Sequence, residues 1–231
     1  MVVFLIAAVA VILALMVFFG WYVYFGPLRN LSITRIRLAY RKRPKGGIVF
    51  YGASNFTYWF DMQSDLAPHV VQNHGFGGST DNDLMACADR LLYPYEPGIV
   101  VFQSGSNDFM LGMTVDQVNA NKDRMYSMFR ERLPDAQFVV LSMLPLPGRT
   151  EPWPSSRQVN DYLAHYCSTH DRMVFVDATE RMLTPEGDFC PQYYRRDGIH
   201  LNREGQQRWA VLIRAALDEL SATKDNSRRK E

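Results

Sequence analysis

Cysteine is scarce in this chain, with three residues in 231. Cys87, Cys167 and Cys190 form an odd and widely spaced set, which excludes a fold held together by a disulfide framework and is compatible with a reducing compartment. His165 and His170 lie close to Cys167, but their spacing matches no zinc site. We therefore expect His165, Cys167 and His170 to be packing and surface residues on one helix.

Charge is absent from Val2 to Phe25. At about 1.5 Å per residue this stretch would form a helix of roughly 36 Å, enough to cross a hydrocarbon layer of about 30 Å. Trp21, Tyr22 and Tyr24 resemble an interfacial aromatic belt. We predict a retained membrane anchor over residues 1–28, and the alternatives are a cleaved signal peptide and a buried core helix.

Acidic residues are also absent before Asp61, although basic residues are frequent after the uncharged stretch. The basic residues of the predicted linker 29–46 are Arg29, Arg35, Arg37, Arg41, Lys42, Arg43 and Lys45. Because they adjoin the predicted anchor and the rest of the chain is acidic, we expect a membrane surface rather than nucleic acid as their partner. The positive-inside rule then predicts a single-pass membrane protein whose following domain is cytoplasmic.

The remaining length suits one domain, predicted over residues 47–222 and followed by a flexible tail, 223–231. Its apolar runs are continuous, as in parallel strands covered by helices on both faces, and they are separated by segments long enough for crossover helices. The runs are 47–52, 69–75, 98–105, 137–143 and 173–178. We predict a three-layer α/β/α domain with about five parallel strands and a last helix that begins after Asn202.

Polar residues cluster where the predicted strands end. Gly-Ala-Ser-Asn follows the first strand at 52–55, a glycine-rich loop follows the second at 73–80, and Gly-Ser-Asn-Asp follows the third at 105–108. Asp-Gly-Ile-His precedes the last helix at 197–200. Ligands bind at the carboxyl ends of parallel strands, so we expect these four blocks to converge on one edge of the sheet.

This set of residues suits acyl transfer. A serine hydroxyl such as that of Ser54 needs a neighbouring base, and His200 is the best candidate, with Asp197 three residues before it to orient the imidazole. Backbone N–H groups of Ser54 and Gly78 and the side chain of Asn107 are available to stabilise an oxyanion.

Together the four blocks resemble those of the SGNH hydrolases, also called the GDSL esterase/lipase family. The resemblance covers roughly residues 47–217 and is closest to the branch similar to platelet-activating-factor acetylhydrolase. It implies a flavodoxin-like fold, Ser54 as the nucleophile, Asp197 and His200 as its partners, and an oxyanion hole of Ser54, Gly78 and Asn107. One difference is Ala53, where the family usually has aspartate. We expect the chemistry to survive, with the support of the nucleophile turn altered, and the family's substrate preference does not carry over to this chain.

Each block alone has a structural explanation. Ser54 suits a turn or helix cap, and Asp197 and His200 suit a capped turn. The glycine-rich loop lacks the spacing and the lysine of a nucleotide-binding loop. The competing candidates are His69 and His74 as bases and Ser104 and Ser106 as nucleophiles, while Asp108 is expected to support Asn107. These competitors lack the family pattern.

The sequence therefore predicts a serine esterase that hydrolyses an acyl ester, with a short or acetyl acyl group. A small-molecule, lipid or glycan ester is the expected substrate, and no metal or organic cofactor is required. The alternatives are an acyltransferase that uses a sugar or lipid hydroxyl as acceptor and a non-catalytic binding module. The aromatic residues near the blocks are candidates for an acyl or sugar pocket or for core positions: Tyr58, Trp59, Trp153, Tyr193 and Tyr194.

Overall fold

A computed structural model describes the backbone of residues 2–25 and 27–228 and the side chains of residues 6–18 and 31–222. The chain divides into two compact units, residues 1–41 and 42–231.

The first unit contains two helices, α1 (Val2–Phe25) and α2 (Pro27–Tyr40). Within the described residues no helix combines the length and the apolar character needed to cross a membrane, and the predicted anchor is not confirmed. Its described side chains, residues 6–18, would cover only about 20 Å along a helix. The predicted aromatic belt lies outside the residues whose side chains are described, and the membrane location and its cytoplasmic side stay predictions from the sequence.

The predicted basic linker, residues 29–46, is helical as far as Tyr40. Pro27 occupies the first position of α2, where its missing N–H costs nothing. Ile33 and Ile36 are three residues apart on one side of the helix, and both are buried. Arg35 between them and Arg37 after them obscured this helical pattern.

The second unit contains five parallel strands in the order β2-β1-β3-β4-β5. The strands are β1 (Ile48–Gly52), β2 (Val71–Gly75), β3 (Ile99–Gln103), β4 (Gln137–Leu141) and β5 (Met173–Val176). All five lie within the predicted runs, which confirms the parallel α/β architecture. The strand order reverses between β1 and β3, where an open α/β sheet places its ligand.

Helices and short turns connect the strands. The helices are α3 (Ser54–Thr57), α4 (Met62–Asp65), α5 (Asp81–Leu91), α6 (Ser106–Met110), α7 (Val115–Arg132), α8 (Trp153–Ser168) and α9 (Arg203–Arg228). Asn202 accepts a hydrogen bond from the N–H of Gly205 at 3.1 Å, which confirms it as the cap of α9. The backbone of α9 continues to Arg228, into the predicted tail, while residues 229–231 lie outside the described residues, and the flexible tail stays a prediction.

Alternate residues of each strand pack on opposite faces of the sheet. Tyr51 and Phe102 contact Phe129 of α7, with ring centroids 5.9 Å apart in both pairs. On the other face Phe50 contacts Phe56 at 5.3 Å, and Phe56 stacks on Trp209 of α9 at 5.4 Å. The two cores give the three layers predicted from the sequence and hold the strand ends in place.

Candidate active site

The turn that carries Ser54 is formed by the main chain. Gly52 ends β1, and a Cβ there would lie 2.2 Å from the carbonyl oxygen of Gln103 in the adjacent strand, so a side chain is excluded. The Ala53 N–H donates to that carbonyl at 3.3 Å, and the Ala53 carbonyl accepts from Phe56 and Thr57 at 3.2 and 3.3 Å. These bonds hold the turn although Ala53 replaces the aspartate usual at this position.

Ser54, His200 and Asp197 form a continuous hydrogen-bonded chain. The Nε2 atom of His200 lies 2.9 Å from Ser54 Oγ, and its Nδ1 atom lies 2.8 Å from Asp197 Oδ2. An ionised carboxylate only accepts hydrogen bonds, so the His200 proton lies on Nδ1 and Nε2 is left to accept from the serine hydroxyl. This is the arrangement that activates a serine nucleophile.

The Asp197 carboxylate is stabilised in its ionised form. Burial raises its pKa, but hydrogen bonds from the His200 side chain and from the backbone N–H groups of His200 and Ile199 outweigh this effect and lower the pKa to about 2. The two backbone bonds measure 3.0 and 2.8 Å. Asp197 is therefore charged at any neutral or mildly acidic pH.

A side chain beside the serine holds the loop of His200. Asn55 Oδ1 accepts a hydrogen bond from the N–H of Leu201 at 3.0 Å, which ties the start of α3 to the residue after the histidine. The His200 carbonyl in turn accepts from the N–H of Arg195 at 2.7 Å. Asn55 thus links the turn of Ser54 to the loop of His200, a contact that the sequence did not reveal.

Tyr58 lies against the base. Its ring meets the His200 ring edge to face with centroids 4.8 Å apart, and the Arg195 guanidinium lies 5.0 Å from the Tyr58 ring centroid. Tyr58 is 38% exposed and is therefore available to contact a substrate. Trp59, Tyr193 and Tyr194, by contrast, are buried in the core beneath α9, which answers the question left open for them. The ring of Trp153 packs edge to face against that of Phe189, with ring centroids 6.2 Å apart.

The glycine-rich loop after β2 lies beside the serine. A Cβ on Gly77 would be 3.9 Å from the Ser54 Cβ, and the next residue, Gly78, adopts a left-handed φ of 76°. Asn107, on α6, donates from Nδ2 to the carbonyl of Ser79 at 2.9 Å, which joins the third block to this loop. The three predicted oxyanion donors are therefore carried by segments that meet around one serine.

The sequence did not indicate that Arg149 contacts Asn107. Arg149, in the loop between β4 and α8, donates to Asn107 Oδ1 at 3.1 Å and to the Ser106 carbonyl at 3.4 Å. In the same loop the N–H of Gly148 donates to the carbonyl of Gly198 at 2.9 Å. The only indication in the sequence was the position of this loop, which follows strand β4 and therefore reaches the same sheet edge as the predicted blocks.

Behind Asn107 lies a buried charged cluster. Lys122 Nζ donates to Asp81 Oδ1 at 2.9 Å and to Ser104 Oγ at 2.7 Å, while Ser104 also bonds to Asp81. Asp108 accepts from the N–H of Asp81 at 3.2 Å, which joins it to the start of α5, and the support of Asn107 expected of it stays a prediction. Burial and then the charge of Asp81 raise the pKa of Asp108 to about 7, although Lys122 opposes them. Ser104 is buried in this cluster, which removes it as a competing nucleophile.

The competing bases have other partners. His69 Nε2 pairs with Asp218 at 2.7 Å, and buried His74 bonds through Nδ1 to the Leu91 carbonyl at 2.6 Å. A cavity of about 960 Å³ in the described part of the second unit is lined by Ile48, Ile99 and Gln137, at the amino ends of their strands. It lies at the sheet edge opposite to that of Ser54 and contains no triad residue.

Comparison with known proteins identifies the family. The profile of the GDSL-like Lipase/Acylhydrolase family matches residues 46–208. The chain belongs to this family. Membership makes this GDSL-like protein a hydrolase that acts on ester bonds, as the sequence predicted, and gives it a small-molecule or lipid ester as its class of substrate.

Relatives of this GDSL-like hydrolase agree with the assignment. It is 29% identical to the human platelet-activating factor acetylhydrolase IB subunit alpha1 over 188 residues, which cover 78% of this chain and 79% of the human one. Its fold is similar to that of a Streptococcus pneumonia protein described provisionally as a platelet activating factor, with a TM-score of 0.75 and 20% identity over 89% of this chain and 98% of that one. A GDSL-like lipase from Bacteroides thetaiotaomicron has a TM-score of 0.67 and 19% identity over 84% of this chain and 99% of the other.

Proposed function

We propose that this protein is a serine esterase in which Ser54, His200 and Asp197 form the catalytic triad. The observation that carries the proposal is the pair of distances at His200, 2.9 Å to Ser54 Oγ and 2.8 Å to Asp197 Oδ2. Ser54 lies 146 positions from His200 in the sequence, yet it meets the His200–Asp197 pair at hydrogen-bonding distance, in the order that nucleophilic catalysis requires.

In the first step Ser54 Oγ attacks the carbonyl carbon of the ester while His200 Nε2 takes the hydroxyl proton. The positive imidazolium is stabilised by Asp197, which stays ionised. The tetrahedral oxyanion accepts hydrogen bonds from the backbone N–H groups of Ser54 and Gly78 and from the amide of Asn107. His200 then protonates the leaving alcohol, and water releases the acyl group from Ser54 by the same steps in reverse order.

A short acyl group, foremost acetyl, is the substrate we propose. The support is the relative at 29% identity, whose name states that it is an acetylhydrolase. The Tyr58 ring packs edge to face against His200, which itself contacts Ser54, and a bulky ring this near the proposed base favours a small acyl group. The alcohol part is left open between a small molecule, a lipid and a glycan.

The decisive test compares the protein with its Ser54→Ala form. Chromogenic acetyl, butyryl and octanoyl esters measure turnover, and a fluorophosphonate probe measures the reactive serine. We expect Ser54→Ala to lower kcat by at least about 10⁴-fold and to abolish labelling, because the nucleophile is lost. Acetyl ester should give the highest kcat/KM.

Ser64→Ala is the matched control, since Ser64 is exposed on α4 and its hydroxyl bonds only to the nearby Asp61 carbonyl among the described contacts. It should keep full activity and labelling. Equal turnover in the Ser54→Ala and wild-type proteins would refute the triad. An added alcohol acceptor tests acyl transfer, which would appear as a new ester at the expense of the free acid.

A further inference from the structure

The side-chain amide of Asn107 is held at both ends. Its Nδ2 donates to the Ser79 carbonyl at 2.9 Å, and its Oδ1 accepts from Arg149 at 3.1 Å. Arg149 also reaches the Ser106 carbonyl at 3.4 Å, so the guanidinium spans the backbone and the side chain at the start of α6. Both Asn107 and Arg149 are half-buried.

These two contacts select one orientation of the amide. An arginine only donates and a carbonyl only accepts, so rotating the Asn107 amide by half a turn would set NH₂ against the guanidinium and oxygen against oxygen. In the observed orientation one of the two Nδ2 hydrogens is used by Ser79 and the other is left for a further acceptor. The positive charge of the Arg149 guanidinium beside Oδ1 also polarises the amide, which strengthens the second N–H of Nδ2 as a donor.

We infer that Arg149 is a positioning residue that fixes the Asn107 amide so that its second N–H serves the oxyanion. The inference rests on the proposed function, in which Asn107 is an oxyanion donor. It adds a residue that supports the reaction through Asn107, supplied by a loop outside the four sequence blocks.

The loop of Arg149 is suited to this role because it is anchored elsewhere. Gly148 N–H donates to the Gly198 carbonyl at 2.9 Å, and Tyr194 Oη donates to the Pro145 carbonyl. The loop thus contacts the segment of Asp197 and His200 on one side and the Asn107 amide on the other. This single loop therefore positions both the segment of Asp197 and His200 and the amide of Asn107.

Steady-state kinetics on a chromogenic acetyl ester test the inference with the full chain. The variants are Arg149→Leu, Arg149→Lys, Asn107→Ala and the double variant Asn107→Ala with Arg149→Leu. We expect Arg149→Leu to lower kcat about 10- to 100-fold with KM changed less than about threefold, because the donor is misplaced only where the transition state needs it. Arg149→Lys keeps the charge and a donor and should recover part of the loss.

The double variant separates positioning from a general structural role. If Arg149 acts through Asn107, its removal adds less than about twofold to the loss already caused by Asn107→Ala. If the kcat of the double variant instead falls by the product of the two single losses, the inference is overturned. Arg157→Leu is the matched control, since Arg157 is exposed on α8, and it should leave kcat unchanged.

Folding and chemistry are checked separately. Fluorophosphonate labelling of Ser54 counts the folded sites in each preparation, and kcat is calculated per labelled site. Unchanged kcat per site in Arg149→Leu would overturn the inference while the proposed function stands. A wild-type protein without turnover or labelling would instead refute the proposed function, and this inference with it.

Discussion

At the scale of single residues, the conformation of Gly78 matters as much as its position. Its φ of 76° lies in the left-handed region, and apart from its two chain neighbours no described residue has an atom within 4 Å of the place where a Cβ would be. A side chain therefore meets no steric obstacle there, and the only penalty is in the backbone. A change in the backbone conformation at Gly78 would move the N–H that we assign to the oxyanion.

We predict that Gly78→Ala lowers the free energy of unfolding by about 1 kcal/mol, the cost of a left-handed alanine, and lowers kcat at least about 10-fold by moving the N–H. Gly187 offers a matched control, since it has a φ of 90° and the same open surroundings but lies in the turn between Thr184 and Asp188. Gly187→Ala should show the same loss of stability with unchanged kcat. Similar kcat values for the two variants would argue against Gly78 as a donor.

The residues to which we assign the chemistry were named from the sequence, whereas the residues that hold them in place were not. Ser54 and His200 stand in short blocks with fixed neighbours, so their identity and order carry the signal. Asn55 bonds to Leu201 and Arg149 bonds to Asn107, across 146 and 42 residues of chain. No local pattern encodes such a contact, because it exists only after the sheet has brought its loops together.

At the scale of elements, three segments are joined by the buried Lys122. This residue lies on α7 and bonds to Asp81 at the start of α5 and to Ser104 directly after β3. Its side chain is 1% exposed and that of Asp81 is 0% exposed, so the pair is shielded from water. Asp108 on α6 adds a second carboxyl group to the same site.

We predict that Lys122→Met destabilises the protein by about 3–5 kcal/mol, because it leaves a buried carboxylate without its cation. Lys45→Ala is the control, since Lys45 pairs with Glu96 at the surface with both side chains more than half exposed, and it should cost at most about 1 kcal/mol. Urea denaturation followed by circular dichroism measures both. Equal midpoints for Lys122→Met and the wild type would mean that this ion pair does not support the fold.

The elements themselves were predictable to different degrees. The five strands could be located because each is an apolar run of a length that suits a strand covered on both faces. Helix α2 could not, because three arginines interrupt its apolar residues and, among its described side chains, Ile33 and Ile36 are the buried ones. The burial of Lys122 was equally hidden, since α7 is rich in polar residues and the partners of this lysine are 41 and 18 positions away.

At the scale of the whole molecule, the second unit contains everything that the proposed chemistry uses. It extends from Lys42, includes all five strands and covers the match to the GDSL-like family at residues 46–208. A unit with its own core and a complete set of strands is expected to fold by itself.

We therefore predict that a protein of residues 42–231 is folded and hydrolyses the chromogenic acetyl ester with a kcat within about threefold of that of the full chain, since it keeps every residue that the proposed chemistry uses. Its Ser54→Ala form controls for background hydrolysis. An inactive or aggregated product, beside an active full chain, would show that residues 1–41 are needed for the second unit to fold or to act.

The close approach of Gly148 to Asp197 has a consequence for how this protein tolerates mutation. A Cβ at position 148 would lie 2.1 Å from the Asp197 carbonyl oxygen, a distance that requires the backbone to move. Asp197 holds His200, so the displacement would be passed on to the base. Genetically, Gly148 should behave like a catalytic position and collect loss-of-function alleles, although it has no side chain with which to take part in the reaction.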